Sequence, residues 1–338
     1  MKFKKQIIPI LAAMMLAAAG AAQALTMNGA GATFPNPIYS KWFYEYNQKT
    51  GIKINYQAIG SGGGQRQVIA GTVDFGGSDA IMTPEDMAKV SRGILHIPTV
   101  MGAVVVIYNL KGIKSGLKLD SNVLTSIFMG SITRWNDPAI AELNPDVKLP
   151  ATNITVAHRS DGSGTTSIFV DYLSKVSTVW ASQVGTGTAV KWPAGVGGKG
   201  NEGVAGLVQQ IPGAIGYVEL AYALKNNLSI ARIKNKAGNY IEPSVESTTA
   251  AARGALRNMP SDFRVSITNA PGEEAYPISG FTWLLVYGKY DAAKGKALVD
   301  FMKWALTTGQ KDAPTLHYAP LPASLIEKIK AKIATIQY

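Results

Sequence analysis

The sequence predicts an α/β protein built as two domains with a ligand cleft between them, and three observations predict it. Apolar, strand-like runs alternate with helical segments along the chain. The length, 338 residues, exceeds what one core of ordinary domain size holds. No low-complexity linker divides the chain, so two domains must share short extended crossovers instead of standing in series. Residues 98–109 and 277–287, both apolar and β-rich, are the candidate crossovers. The first domain is then discontinuous, residues 25–100 plus 275–338, and residues 101–274 form the second. Hinge closure about such crossovers surrounds a small molecule.

The elements follow in order. Lys2, Lys4 and Lys5 precede an apolar stretch over residues 7–19, and Ala22-Gln23-Ala24 gives a small-x-small cleavage pattern. This is the pattern of a secretory signal over residues 1–24. A retained anchor fits less well, because the run is short, alanine-rich and interrupted by Pro9 and Gly20. A glycine-rich turn, residues 29–35, leads to a helix over residues 38–47, with Pro35 suited to a first helical position. Residues 52–56 alternate like a half-buried strand, and residues 60–64 (GSGGG) form a turn before a helix at 65–70. Residues 74–79 make a further turn, and residues 103–107 are a continuous apolar run like a buried strand. Helices are expected after Pro84, Ser121, Asn201 and Pro322, with Ser121, Asn201 and Ser163 or Thr165 as caps. Gly213 is placed to end the helix containing residues 204–210.

Composition narrows the function. The chain has no cysteine, which excludes disulfides, a lipid-anchored cysteine and thiolate metal sites or nucleophiles. With an export signal, that suits a bacterial periplasm. The formal net charge of +11 includes the three lysines of the leader, and the remaining cations are scattered. The one modest cluster, Lys328, Lys330 and Lys332, reads as a solvated helix face, so nucleic-acid binding has little support. His96, His158 and His317 are too dispersed to suggest a metal site, and no metal or organic cofactor is expected. His158 beside Arg159 reads as an ordinary strand histidine or a rim group. The six tryptophans read as core or cleft wall.

The densest chemistry lies at residues 159–166 (RSDGSGTT), between a strand at 154–158 and a helix at 167–173. A helix start offers unpaired N–H groups and the positive end of the helix dipole. Glycines admit an anion close to that backbone, and hydroxyls add donors. Arg159 adds a planar fork suited to a tetrahedral oxyanion. Residues 29–35, 60–64 and 74–79 are similar turns, the last carrying Asp79. Four such loops around one arginine point to a shared anion, with phosphate the first candidate. A glycine-rich stretch at 195–203 lacks the Lys-Ser/Thr ending of a nucleotide loop and reads as a turn into a helix.

Six segments carry a resemblance: residues 29–35 (GAGATFP), 56–64 (YQAIGSGGG), 72–79 (TVDFGGSD), 159–165 (RSDGSGT), 191–203 (KWPAGVGGKGNEG) and 212–219 (PGAIGYVE). In that order, over nearly all the chain beyond the leader, they resemble the periplasmic phosphate-binding proteins of bacterial high-affinity phosphate ABC importers. The resemblance implies a two-domain, type II-like periplasmic binding protein fold. It implies a monomeric, non-enzymatic receptor that captures inorganic phosphate and delivers it to an inner-membrane permease. Position by position, it implies donation to phosphate from Thr33, the Phe34 amide, Ser61, Ser163, Gly164 and Thr165. Arg159 would supply the positive charge and Asp161 would hold its fork, while Asp79 would accept the proton of hydrogen phosphate. The family often has a serine where this chain has Gly62, which removes a side-chain donor.

The Asp79 role also has a physical basis. A carboxylate beside an anion repels it unless the anion offers a hydrogen, which phosphate keeps near neutral pH and sulfate lacks. A site built around a ligand O–H rejects an analogue without it by about 10⁴–10⁵. Two rivals remain at this point. Ser163 is a conceivable nucleophile for a secreted phosphatase or serine hydrolase, although Gly162-Ser163-Gly164 is not a full Gly-x-Ser-x-Gly elbow and no histidine is placed as its base. Another oxyanion, such as sulfate, is the rival ligand.

Overall fold

A single 15-residue strand, Ile94–Tyr108, changes partners midway and ties two sheets into one. The structure, a computed structural model, describes residues 25–257 and 259–338; the leader expected over residues 1–24 lies outside them. From Ile94 to Ala103 the strand pairs antiparallel with Ser279–Tyr287. From Val104 to Tyr108 it pairs antiparallel with Ala214–Glu219 instead. The switch falls between Ala103 and Val104. Nearly every residue of the strand is buried, which is why its sequence reads as an unbroken apolar run rather than an alternating one.

On one side of the switch the order is Lys53–Ala58, Thr26–Gly31, Phe75–Ser78, Ser279–Tyr287 and then the long strand. The first three are mutually parallel, and Ser279–Tyr287 runs against them. On the other side Ala214–Glu219 is followed by Thr155–Arg159 and Val196–Gly198, all parallel. Parallel strands need helical crossovers, and four of these strands lead into the helices that matter for the site. These are Asn36–Thr50, Ser61–Ala70, Gly164–Val176 and Gly200–Gln210. Their starts all lie at the strand ends facing the other half of the molecule, where open α/β sheets place their ligands.

Aromatic side chains fill the core and satisfy their own polar atoms. Trp42, Trp135 and Trp180 are fully buried, and their indole N–H groups donate to the carbonyls of Gly309, Gly213 and Gly185. Burying one such side chain contributes roughly 1.5–3 kcal/mol, a gain that an unpaired N–H would largely cancel. Among the described residues, no helix is long and apolar enough to cross a membrane.

Several local expectations are corrected. The helix at 121 is capped by Asp120, whose Oδ1 accepts from the Val123 amide at 2.9 Å, not by Ser121. The GSGGG segment is not a turn: Ser61 to Gly64 are the first turn of Ser61–Ala70. Helical backbone there is held by packing, because a Cβ at Gly64 would strike the backbone of Gly31 and Ala30. Pro35 stands at the cap rather than the first helical position, and Pro37 occupies the first turn. Gly213 does not cap the helix Gly200–Gln210, which closes on Ile211; with φ at 80° it turns the chain into the next strand. Asn201 caps nothing, as shown below.

Gly31 closes its strand with φ at 147°, and a Cβ there would be driven into the Gly77 carbonyl oxygen of the neighbouring strand. Gly31→Ala should therefore cost about 2–3 kcal/mol. Urea unfolding should show a lower midpoint at unchanged slope, and a wild-type midpoint would refute the steric account.

Candidate anion-binding site

Four helices start around one point, and their first turns supply most of its polar groups. The first four amides of a helix have no intrahelical acceptor. Here the N–H groups of Phe34, Ser61, Gly164 and Thr165 meet no protein acceptor among the described residues. Each sits where a glycine or a tight turn brings backbone to the site. Gly164 is the closest fit: a Cβ there would collide with Ser61 Oγ and stand 2.5 Å from Asp79 Oδ2. The two halves meet across this glycine.

The hydroxyls are arranged as donors. Ser163 caps Gly164–Val176, its Oγ accepting from the Thr166 amide at 3.0 Å, which leaves its proton for another acceptor. Thr165 Oγ1 accepts from Asn201 Nδ2 at 3.2 Å and from Arg159 Nη1 at 3.5 Å. Thr33 Oγ1 accepts from the same Asn201 Nδ2 at 2.7 Å. Ser61 Oγ accepts from the Asp79 amide at 3.1 Å and donates to Asp79 Oδ2 at 3.3 Å. Ser61, Ser163 and Thr165 are fully buried and Thr33 nearly so.

The charges are few and held tightly. Arg159 ends its strand almost completely buried, and Asp161 grips it with two bonds, Nε to Oδ1 at 2.8 Å and Nη2 to Oδ2 at 2.6 Å. Asp161 Oδ1 also accepts from the Gly200 amide at 3.0 Å. Burial alone would raise the Asp161 carboxyl, but Arg159 and that amide outweigh it and hold it below the usual carboxylate range. Nη1 is the one guanidinium nitrogen left facing the hydroxyls. Asp79 follows the strand Phe75–Ser78, accepts from Thr282 Oγ1 at 2.7 Å, and is 3 % exposed. Burial pushes its carboxyl up to about 7, against the pull of Thr282, Arg159 and Ser61.

The structure thus brings Thr33, Phe34, Ser61, Asp79, Arg159, Asp161, Ser163, Gly164 and Thr165 into one cluster. Gly62 stands at its edge, where its amide donates to the Gly162 carbonyl at 2.9 Å across the two halves. Asp79 is not a helix cap, since Thr83 caps Pro84–Ala88. His158 lies outside the cluster, stacked on Trp192 with Nδ1 donating to the Arg159 carbonyl. His96 is also apart, its Nε2 accepting from the Met82 amide.

Sequence reasoning missed the residues that brace this cluster. Asn201 lies inside the first turn of its helix and bonds Thr33 and Thr165 at once. Thr282 fixes Asp79 from a strand more than 200 residues away. Tyr222 donates to the Thr33 carbonyl and Tyr318 to the Phe34 carbonyl, both at 2.6 Å. The Tyr318 hydroxyl oxygen also lies 3.2 Å from Oε2 of Glu219, a fully buried carboxyl whose Oε1 has no partner among the described residues. Burial raises Glu219 well above its ordinary range. Asn201 and Glu219 lay within segments singled out in the sequence, residues 191–203 and 212–219, while Thr282, Tyr222 and Tyr318 did not.

Comparison with known proteins follows the same lines. The family model of the PBP superfamily domain matches residues 16–307. A protein of Xylella fastidiosa named phosphate-binding protein PstS is 50% identical over 311 residues, covering 91% of this chain and 85% of that one. A Haemophilus influenzae protein of the same name is 47% identical, covering 93% and 94%. Among solved structures, the high-affinity periplasmic phosphate-binding protein PfluDING matches with a TM-score of 0.71 at 21% identity, covering 91% of this chain and 93% of that one. A phosphate-binding protein from Stenotrophomonas maltophilia matches with a TM-score of 0.68 at 20% identity, covering 92% and 94%. Fold and site define a two-domain α/β substrate-binding protein of the periplasmic type. The chain belongs to the PBP superfamily and, within it, to the family of phosphate-binding proteins that includes these relatives.

Asp79 ties the site to stability. Its folded-state carboxyl is raised above the unfolded value, so the folded form holds a proton that the unfolded chain releases. Its contribution is present in full at low pH and is lost as pH rises from about 4 to about 7. Asp79→Asn, without ligand, should therefore gain on wild type across that window and run parallel to it above. Urea unfolding of both proteins at several pH values checks this; a constant difference between them would mean Asp79 is not shifted.

Proposed function

We propose that the protein captures inorganic phosphate between two hinged halves in the periplasm and delivers it to an inner-membrane ABC permease. The observation that carries this is the balance of groups: four unpaired amides, the hydroxyls of Thr33, Ser61, Ser163 and Thr165, and Arg159, set against one acceptor, Asp79. Such a set replaces the water shell of a tetrahedral oxyanion and takes back one hydrogen bond from it. A protonated phosphate matches that balance and sulfate does not. The names of the relatives agree.

In this proposal the Phe34, Ser61, Gly164 and Thr165 amides and the hydroxyls of Thr33, Ser163 and Thr165 donate to phosphate oxygens, joined by the Ser61 hydroxyl once it turns from Asp79 to the ligand. Arg159 Nη1 supplies the charge, Asp161 holds the guanidinium, and Asp79 receives the phosphate proton. The halves are residues 25–100 with 275–338, and residues 101–274, which rock about the partner switch in Ile94–Tyr108. Export after cleavage near Ala24 and action as a monomer complete the proposal. A hydrolase has less support, since Ser163 Oγ accepts from the Thr166 amide and neither His158 nor His96 bonds it.

Calorimetric titration of protein stripped of ligand by unfolding and refolding should give tight one-to-one phosphate binding and no sulfate heat. Sulfate bound as tightly as phosphate would overturn the ligand, and binding of neither by folded protein would overturn the receptor. Asp79→Asn should acquire sulfate binding, because a carboxamide removes the repulsion.

Gly164→Ala isolates closure. Its methyl would hold the half that carries Ser61 and Asp79 away from the half that carries Gly164, while leaving each half intact. Phosphate affinity should fall by about tenfold or more with little loss of unliganded stability. Wild-type affinity would place the ligand away from this junction.

A further inference from the structure

We propose that Asn201 is a positioning residue that turns the Thr33 and Thr165 hydroxyls into obligate donors and links them across the two halves. The proposal rests on the phosphate-capture reading and deepens it. The two threonines belong to different halves: Thr33 follows the strand Thr26–Gly31, while Thr165 opens the helix after Thr155–Arg159. One carboxamide nitrogen, Asn201 Nδ2, donates to both oxygens, at 2.7 Å to Thr33 and 3.2 Å to Thr165.

The orientation of the carboxamide is fixed by its other end. Asn201 Oδ1 accepts from the Glu219 amide at 2.9 Å, on the strand Ala214–Glu219 that pairs beside the partner switch. A flipped amide would set N–H against N–H there, so Nδ2 must face the threonines. The lone pairs of both hydroxyls are then taken. Thr33 Oγ1 receives Nδ2 and, more weakly, the Asn201 amide at 3.4 Å. Thr165 Oγ1 receives Nδ2 and Arg159 Nη1. A hydroxyl with two lone pairs occupied has only its proton to offer. Both protons are then left for an acceptor other than these groups, next along the chain to the amides of Phe34, Gly164 and Thr165, which meet no protein acceptor among the described residues. Without Asn201 each hydroxyl is free to rotate and to present a lone pair to the anion, which repels it. The bond from Asn201 to Thr33 also exists only when the halves are together, so it forms with closure.

The test is a double-mutant cycle on phosphate affinity, with Asn201→Ala and Thr33→Val made singly and together in the full chain. If Asn201 acts through Thr33, each single change should weaken phosphate binding about tenfold and the pair should lose little more than either alone. A merely structural role would give independent losses that multiply to about a hundredfold. That multiplication, or wild-type affinity in Asn201→Ala, would overturn the proposal. Should Asn201→Ala not fold, Asn201→Asp keeps the acceptor for the Glu219 amide and enters the same cycle. Its carboxylate accepts from the threonines and reverses their hydroxyls, so a larger loss with the same non-additivity is expected, and additivity would again refute it. Failure of the wild-type protein to bind phosphate is a separate result, and it removes the capture reading itself.

Discussion

An anion leaves water only if its hydration shell is replaced donor for donor, and this constraint governs how the molecule is built. Full charges are a poor solution in a buried site, because each must itself be desolvated. The protein relies instead on groups that folding has already removed from water, the free amides at helix starts. That choice requires several helices to begin at one point, which parallel βαβ units provide by placing their helix starts along one sheet edge. Two such edges, facing each other across the partner switch at Ala103 and Val104, bring Phe34 and Ser61 opposite Gly164 and Thr165.

The glycines follow from the same demand. A hydrogen bond to a ligand needs backbone within about 3 Å of it, and a Cβ in the way adds distance that no side chain recovers. Gly164 lies against Ser61 and Asp79, and Gly162 against Gly62, so that main chain from one half meets main chain from the other. The departure from a serine at position 62 is consistent with this contact. Gly62 keeps an amide bond to Gly162 where a Cβ would stand 3.1 Å from the Gly162 Cα.

The site was more legible in the sequence than the means of holding it. Gly, Ser and Thr before helical segments announce helix starts by local chemistry, so the candidate loops could be read within a few residues, while the partner of Arg159 came from the resemblance. The parallel α/β pattern was equally local, being a matter of alternating periods. Asn201 was read as a cap because Asn favours caps, and only the tertiary structure sets Thr33 and Thr165 beside it. Thr282, Tyr222 and Tyr318 act on the site from a distant strand, a helix and a loop, where nothing in their neighbouring residues marks them. Residues 98–109 were legible as a crossover, but the point within Ile94–Tyr108 where the partner changes was not. Both halves of that strand are apolar and buried, and the change of neighbour leaves no trace in its pattern.

The acidic groups complete the physical picture. Arg159 is matched by Asp161, and Asp79 and Glu219 add two further carboxyls, so the neighbourhood of an anion site is not cationic. Burial raises both extra carboxyls, Asp79 to about 7 and Glu219 well above its ordinary range, which lessens the negative charge they hold beside the site. In the proposed site Asp79 is the acceptor for the ligand's hydrogen, whereas Glu219, beside Tyr318 and bonded to the Ala221 amide, stays in the wall. Affinity in such a site comes from oriented dipoles over short distances, which discriminate between anions by the hydrogens they carry. A surplus of positive charge would attract every anion alike. In the proposed site, one matched cation balanced against a proton-accepting carboxyl would make selectivity, and not merely attraction, follow from the fold.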